Sequence, residues 1–148
     1  MLILLLSSLL YAAECPHGSD RFNCVKFVKN YDGDTLTMDI PGVHPFFGNN
    51  IKVRVRGIDT PEMKGKAPCE KEWGRAARGL VEAELKHAKR IDLVVRFEDR
   101  LDKYGRLLAD VVYDGKNLKD ILIKNRLAVA YEGQKKQQVN WCALKGKR

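Results

Sequence analysis

The sequence predicts a mainly β domain of the α+β class, a five-stranded Greek-key barrel with two to three helices. Three observations lead to this prediction. Apolar and polar residues alternate over five short segments. One stretch with helical periodicity separates the third of these segments from the fourth, and another follows the fifth. The chain of 148 residues has the length of one domain, and no internal repeat or linker divides it.

The strand predictions rest on a two-residue alternation of side chains. It is clearest in "IKVRVRGI", residues 51–58, where isoleucine and valine share one face and lysine and arginine the other. The other predicted strands are 25–29, 35–40, 91–97 and 107–113. The last of them runs into Asp114-Gly115, which is a turn signal.

The helix predictions rest on apolar residues at helical spacing. Residues 70–90 form the first predicted helix, in which Gly74 and Gly79 each weaken helix formation by about 1 kcal/mol relative to alanine. Residues 117–128 form a second helix that begins at an asparagine suited to capping. Residues 134–148 give a short third helix, the basic end of which could equally fray.

Three strands, a helix and two further strands follow the order of the oligonucleotide-binding (OB) fold. The formal net charge of +8 favours polyanions such as nucleic acid or anionic lipid. A cation-rich surface kept for solubility explains the charge equally well. Strand order and charge together favour nucleic acid. Residues 41–50, between the second and third strands, are predicted to be a loop and receive no role.

The N-terminus predicts export. Residues 1–13 are expected to be a signal peptide and residues 14–148 the single folded domain. The apolar block at 2–10 is too short to span a bilayer comfortably, and two alanines follow it. The absence of lysine and arginine before Arg21 departs from the usual positively charged start. We expect a secreted or periplasmic monomer without stable membrane association.

Four cysteines in an exported chain predict two disulfides with three possible connectivities. We favour Cys15–Cys24, which closes a short loop, and Cys69–Cys142, which ties the tail to the body. The chain has no Cys-x-x-Cys pair, so a zinc knuckle is not expected. Lipid attachment at Cys15 is disfavoured because Glu14 stands where a small residue is needed.

Three segments concentrate acids, arginines and tyrosines: "YDGDT" at 31–35, "RVRGIDTPEM" at 54–63 and "DKYGR" at 102–106. In this order, and with the predicted strands around them, they resemble the staphylococcal nuclease (thermonuclease) family over about residues 25–131. The resemblance implies an SNase-like OB-fold domain. It also implies a calcium-dependent endonuclease that cleaves DNA and RNA with low sequence specificity and leaves 3′-phosphate ends.

The resemblance implies specific roles that suit phosphodiester chemistry, which needs a cation, fixed positive donors and a group that acts on water. The implied roles are calcium binding for Asp34, Asp59 and the carbonyl of Thr60, phosphate binding for Arg54 and Arg106, and water activation for Glu62. Lys103 matches a phosphate-contacting lysine. Tyr104 and Tyr131 match tyrosines that flank the nucleotide, and such stacking tolerates any base.

Other interpretations account for each segment alone. Asp32-Gly33 signals a turn between the first and second strands, which would deliver Asp34 opposite Asp59. Arg54 could be one solvated cation on a strand face. Tyr131 could be an aromatic at the edge of the core. The alternative for the whole chain is a non-catalytic OB-fold nucleic-acid binding module, and a third is a basic envelope protein that binds anionic lipid or glycan. The presence of all the acids and arginines favours the enzyme.

Overall fold

A computed structural model describes residues 15–133, 135 and 138–145 of the chain. In this part it contains nine strands and four helices. The strands are β1 (Arg21–Phe22), β2 (Lys26–Asn30), β3 (Thr35–Asp39), β4 (Ile51–Val55), β5 (Ile58–Asp59), β6 (Ile91–Val95), β7 (Leu107–Tyr113), β8 (Lys116–Asn117) and β9 (Val129–Ala130). The helices are α1 (Pro45–Gly48), α2 (Pro68–Lys86), α3 (Leu118–Lys124) and α4 (Trp141–Lys145).

Each of the five predicted strands overlaps a strand of the main sheet, which confirms the mainly β α+β class. The order in this seven-stranded sheet is β1-β6-β7-β4-β3-β2, with β8 on β7, and β5 pairs with β9 in a separate ribbon. The β4–β7 pair is parallel. The arrangement is OB-like, but no strand ladder closes β2 onto β6 in the described part of the chain. A main-chain hydrogen bond from Val25 N to Ile91 O, 2.9 Å long, joins the residue before the edge strand β2 to β6, the neighbour of the other edge strand.

The core lies between the inner faces of the strands and the two longer helices. The predicted alternation is confirmed in β4, where Val53 and Val55 are buried and Lys52 is exposed. Helices α2 and α3 cover the sheet with five buried apolar residues: Ala77, Val81, Leu85, Leu118 and Leu122. Removing this apolar surface from water is the main stabilising contribution to the fold.

The helix boundaries differ from the predictions. Helix α2 begins at Pro68, which suits the first turn because proline lacks an N–H to satisfy. Helix α3 is shorter than the predicted 117–128, because Asn125 caps it and Arg126 has a left-handed φ of 57°. The predicted loop at 41–50 contains the one-turn helix α1. Of the predicted third helix, the described residues 138–140 are not helical, and Trp141–Lys145 form α4.

Both favoured disulfides are present. Cys15–Cys24 has a Cα–Cα distance of 5.9 Å, and Cys69–Cys142, with 5.6 Å, ties the start of α2 to α4. The predicted signal peptide, residues 1–13, lies outside the described residues. Within the described part, no helix is long and apolar enough to cross a membrane.

Candidate active site

The turn between β2 and β3 is built by Asp32. Its Oδ1 accepts hydrogen bonds from the main-chain N of Asp34 at 3.1 Å and of Thr35 at 2.7 Å. The predicted turn is therefore present, but glycine is needed for a different reason than a hairpin turn implies. Gly33 does not have a left-handed φ. A Cβ on it would lie 2.9 Å from Thr60 Cγ2 and 2.9 Å from Ala77 Cβ, so glycine permits close packing.

The second acidic segment follows β5, which pairs with β9. The main-chain N of Thr60 donates to Asp34 Oδ2 at 3.0 Å, so the first two predicted segments meet directly. Helix α2 supports the segment from behind. A Cβ on Gly74 would lie 3.0 Å from the carbonyl oxygen of Glu62, so this glycine allows the close approach of helix and segment. The side chain of Glu62 is exposed toward the cleft.

Arg54 lies between the two carboxylates predicted to bind calcium, those of Asp34 and Asp59. Its Nη1 is 3.1 Å from Asp34 Oδ2, and its Nη2 is 3.7 Å from Asp59 Oδ1. The same two nitrogens donate to the carbonyl oxygens of Val55 and Ile58, each at 2.9 Å. The side chain is only 12% exposed, so it is not a solvated cation on a strand face. The planar guanidinium is therefore held in one orientation by its acceptors.

Two buried carboxylates, those of Asp34 and Asp59, pair with this one guanidinium, and a third, that of Asp32, is buried in the lining of the same cleft. Burial raises the pKa of Asp34 to about 7, with smaller contributions from Asp32 and Asp59, although Arg54 opposes the shift. The excess of carboxylate and the oxygen donors fit a hard cation such as calcium. In the described part of the chain, no three acidic, histidine or cysteine side chains form a metal cluster. A cation bound by Asp34 and Asp59 would therefore complete its coordination with main-chain oxygen, water or substrate.

The loop between β6 and β7, residues 96–106, brings the third predicted segment to the same place. Asp102 Oδ1 accepts from the main-chain N of Tyr104 and of Arg106, both at 2.9 Å, and its Oδ2 accepts from Arg106 Nε at 2.6 Å. Burial alone would raise the pKa of Asp102, but the hydrogen bonds from Arg106 and Tyr104 lower it below its usual value. The Asp102 carboxylate therefore fixes the orientation of the Arg106 side chain.

Arg106 is connected to the acids through a hydroxyl group. Its Nη1 donates to Thr35 Oγ1 at 3.2 Å, and that hydroxyl donates to Asp34 Oδ1 at 3.3 Å. Gly105, with a φ of 75°, supplies the left-handed residue that the turn before Arg106 requires. The second predicted phosphate-binding arginine thus lies in one hydrogen-bonded chain with Asp34, the first predicted calcium ligand.

The aromatic residues stand at the rim of a cleft of about 810 Å³. The ring of Tyr104 is 71% exposed, with Lys103 Nζ 5.0 Å and Arg106 Cζ 5.3 Å from its centroid. Tyr131 is positioned from the opposite side by its main-chain N, which donates to Gly57 O at 3.0 Å. Eight of the nine predicted site residues line this cleft, and Thr60 is buried behind it.

The structure adds residues to which the sequence analysis gave no role. The role of Asp102 could have been predicted, because an aspartate in a turn often accepts hydrogen bonds from main-chain N–H groups a few residues later in the chain. Thr35 follows Asp34 directly and carries no comparable signal. Arg56 shares the polar alternation of its strand but is only 4% exposed and pairs with Asp99.

The chain is similar to a known protein family and to proteins named as endonucleases. Residues 52–144 match the family described as "Staphylococcal nuclease homologue". The chain is 41% identical over 101 residues to the "SPbeta prophage-derived endonuclease YokF" of Bacillus subtilis (68% of this chain, 32% of the relative), and 35% identical over 122 residues to "Endonuclease YncB" of the same organism (80% and 54%). It is 34% identical over 130 residues to an "Uncharacterized endonuclease" of Haemophilus influenzae (88% and 65%). The chain thus spans about a third and about half of the two Bacillus relatives.

Proposed function

Because the chain belongs to the staphylococcal nuclease family, we propose that it is a calcium-dependent nuclease that hydrolyses the phosphodiester bonds of DNA and RNA with low sequence specificity. The observation that carries the proposal is the position of Arg54 between Asp34 and Asp59, with Glu62 and Arg106 lining the same cleft. Acids, guanidinium groups and an exposed carboxylate are the parts that this reaction requires.

Two arginines would bind the phosphate. A guanidinium carries five N–H donors and stays charged, so Arg54 can keep its hydrogen bonds to Val55 and Ile58 and still offer donors to phosphate oxygens. Arg106 is oriented by Asp102 and Thr35 and is likewise partly exposed. Fixed donors of this kind stabilise the negative charge that grows on the equatorial oxygens in the transition state.

Glu62 would act on the attacking water. Its carboxylate would orient the water and accept a proton as the water oxygen bonds to phosphorus. The bond from phosphorus to the 5′-oxygen then breaks, and the 5′-oxygen takes up a proton from solvent, which leaves a 3′-phosphate and a free 5′-hydroxyl. Because Gly74 packs against the main chain of Glu62, the position of helix α2 would determine how far this carboxylate extends into the cleft.

Calcium would be held by the carboxylates of Asp34 and Asp59 and by the carbonyl oxygen of Thr60. When bound, it would offset the phosphate charge and polarise oxygen ligands. Support comes from the three buried carboxylates in the lining of the cleft, two of which pair with Arg54, and from the raised pKa of Asp34; a cation would relieve both.

The substrate would extend along the rim of the cleft. Tyr104 and Tyr131 offer ring faces for stacking on bases, and Lys103 lies beside Tyr104 as a phosphate contact. Stacking accepts any base, which agrees with low sequence specificity. The two disulfides support an exported protein, since such bonds persist in oxidising compartments. We expect it to act as a monomer after removal of residues 1–13.

One assay tests the proposal. The purified protein is incubated with single-stranded DNA, double-stranded DNA and RNA, first with calcium and then with a chelator. We expect cleavage of all three substrates with calcium, 3′-phosphate ends in the products, and no cleavage with chelator. Equal cleavage in chelator would refute the calcium requirement. Binding without cleavage under any condition would favour the non-catalytic module.

A further inference from the structure

The loop that carries Tyr104 and Arg106 is tied to the end of β4 by an ion pair between the buried Arg56 and the half-exposed Asp99. Nη1 of Arg56, the residue after β4, donates to Oδ1 and Oδ2 of Asp99 at 2.8 and 2.7 Å. Resting on the proposed function, we infer that this pair is a positioning contact: it fixes the 96–106 loop against β4 and thereby holds Arg106 at a set position relative to Arg54.

Arg56 is built rigidly into the sheet. Its main-chain N donates to Ala109 O at 2.9 Å, and its Nη2 donates to Leu108 O at 2.9 Å, so both ends of the residue grip β7. The residue is only 4% exposed. A guanidinium buried this far needs carboxylate or carbonyl acceptors, and here they fix its direction. Asp99 therefore meets a stationary group rather than a flexible surface cation.

The loop needs a contact of this kind because many of its other hydrogen bonds stay within its own hairpin. Leu108 N donates to Arg100 O at 2.8 Å, and the bonds between Asp102 and Arg106 close the tip. These contacts shape the loop and join it to β7, which pairs with β4 from Leu107 onward. The Arg56–Asp99 pair adds a side-chain connection from the first half of the loop to the end of β4, and on our inference the Arg106–Thr35 hydrogen bond at 3.2 Å depends on it.

The same short segment also positions the opposite rim of the cleft. Gly57, next to Arg56, accepts the hydrogen bond from Tyr131 N at 3.0 Å. The Arg56-Gly57 dipeptide thus anchors the loop that carries Tyr104 on one side and Tyr131 on the other. The positions of the two guanidinium groups and the two rings therefore all depend on contacts with the end of β4. A small displacement of the loop would move Arg106 and Tyr104 together away from the phosphate.

Asp99 can be altered without leaving Arg56 unpaired. The Asp99 side chain is 48% exposed, and Arg56 Nε lies 3.9 Å from Asp110 Oδ2, which remains as a second acid. Asp99→Ala is therefore expected to fold. Asp99→Asn keeps the shape and one acceptor oxygen, and Glu98→Gln, at the exposed neighbouring position, removes the same charge without touching Arg56.

The kinetic test measures cleavage of single-stranded DNA by these three variants, each alone and combined with Arg106→Ala. We expect Asp99→Ala to lower kcat about tenfold with KM changed less than about twofold, since a displacement near 1 Å can cost that much. Asp99→Asn should lie between Asp99→Ala and wild type, and Glu98→Gln should match wild type. With Arg106→Ala already present, Asp99→Ala should cost less than about twofold, because both changes act through one group. An equal loss in both backgrounds, or no loss, would overturn the inference.

A second measurement does not depend on activity. Amide hydrogen exchange of Tyr104 and Arg106, the two groups that donate to Asp102, should be at least about tenfold faster in Asp99→Ala than in Glu98→Gln. If wild type cleaves nothing, the proposed function fails while this exchange still decides whether the pair holds the loop. Unchanged exchange would overturn the inference even if the nuclease assay succeeds.

Discussion

The main-chain N of Thr60 donates a hydrogen bond to Oδ2 of Asp34 at 3.0 Å, across 26 residues of sequence. This bond joins the turn before β3 to the segment after β5 and sets the two predicted calcium carboxylates on either side of Arg54. Both residues are buried, so the contact is shielded from water. The pKa of Asp34, raised to about 7 by burial, is the measurable sign of this environment.

We predict that Asp34→Asn changes the pH dependence of stability in chelator. The raised pKa means that folded Asp34 keeps a proton that the unfolded chain has already lost between about pH 4 and 7. Its contribution to stability is therefore present at low pH and is lost as pH rises through about 7. Asparagine cannot ionise, so the stability of the variant relative to wild type should rise from pH 5 to pH 8. Urea unfolding at both values measures this.

The exposed Asp120→Asn variant, which lies outside the cleft, is the control for that experiment. Calcium at pH 8 should stabilise wild type more than Asp34→Asn, because a ligand that binds only the folded state stabilises it and Asp34→Asn weakens the site. A pH-independent difference between variant and wild type, or equal stabilisation of both by calcium, would argue against the assigned environment of Asp34.

We predict that Arg106→Lys lowers kcat about 10²-fold, close to the loss in Arg106→Ala. Lysine keeps the charge but lacks the planar fork that contacts Asp102 through Nε and Thr35 through Nη1. Steady-state cleavage of DNA in calcium measures the effect, and Arg75→Lys on the exposed face of α2 serves as the matched control. Retention of more than half the wild-type kcat in Arg106→Lys would show that charge alone suffices.

We predict opposite outcomes for two glycines of α2. A Cβ at Gly79 would have no other heavy atom within 4 Å. Gly79→Ala should therefore stabilise the helix by up to about 1 kcal/mol and leave activity normal. Alanine at Gly74 would place its Cβ 3.0 Å from Glu62 O and 3.1 Å from Pro61 O, which pushes the catalytic segment outward. It should therefore reduce kcat about tenfold. Thermal melts and kinetics on both variants separate the effects, and equal kcat values would refute the positioning role of Gly74.

We predict that the two disulfides differ in their contribution to stability. The Cys69–Cys142 bond spans 73 positions and the Cys15–Cys24 bond spans 9. If each disulfide stabilises the fold by reducing the entropy of the unfolded chain, replacing Cys69 and Cys142 by alanine should lower the free energy of unfolding by about 4 kcal/mol. Replacing Cys15 and Cys24 should lower it by about 2.5 kcal/mol. Urea unfolding of the two double variants measures this difference. A larger loss for Cys15–Cys24 would contradict the account.

The sequence was sufficient for elements with a long periodic pattern. The five alternating segments became β2, β3, β4, β6 and β7. The two-residue strands β1, β5, β8 and β9 are too short to show a period, yet the β5–β9 pair places Tyr131 at the cleft.

The positions of Arg54, Asp59 and Arg106 in one cleft could be anticipated because three segments matched a family in order. Their supporting contacts could not. The alternation in β4 treats Arg54 and Arg56 alike, and only the fold reveals that Arg56 is buried against Asp99, 43 residues away. The same holds for Gly74, which lowers helix propensity but is required by the approach of Glu62. Such requirements arise from tertiary packing, which local propensity does not encode.

We propose that this cleft hydrolyses phosphodiesters with Glu62 acting on water, and the variant Glu62→Gln tests that role of Glu62. Turnover and DNA affinity are measured together in calcium, with Glu98→Gln as the exposed control. We predict that Glu62→Gln lowers kcat about 10²-fold or more while its affinity for DNA stays within about threefold of wild type. Unchanged turnover in Glu62→Gln, with wild type active, would contradict the proposed mechanism.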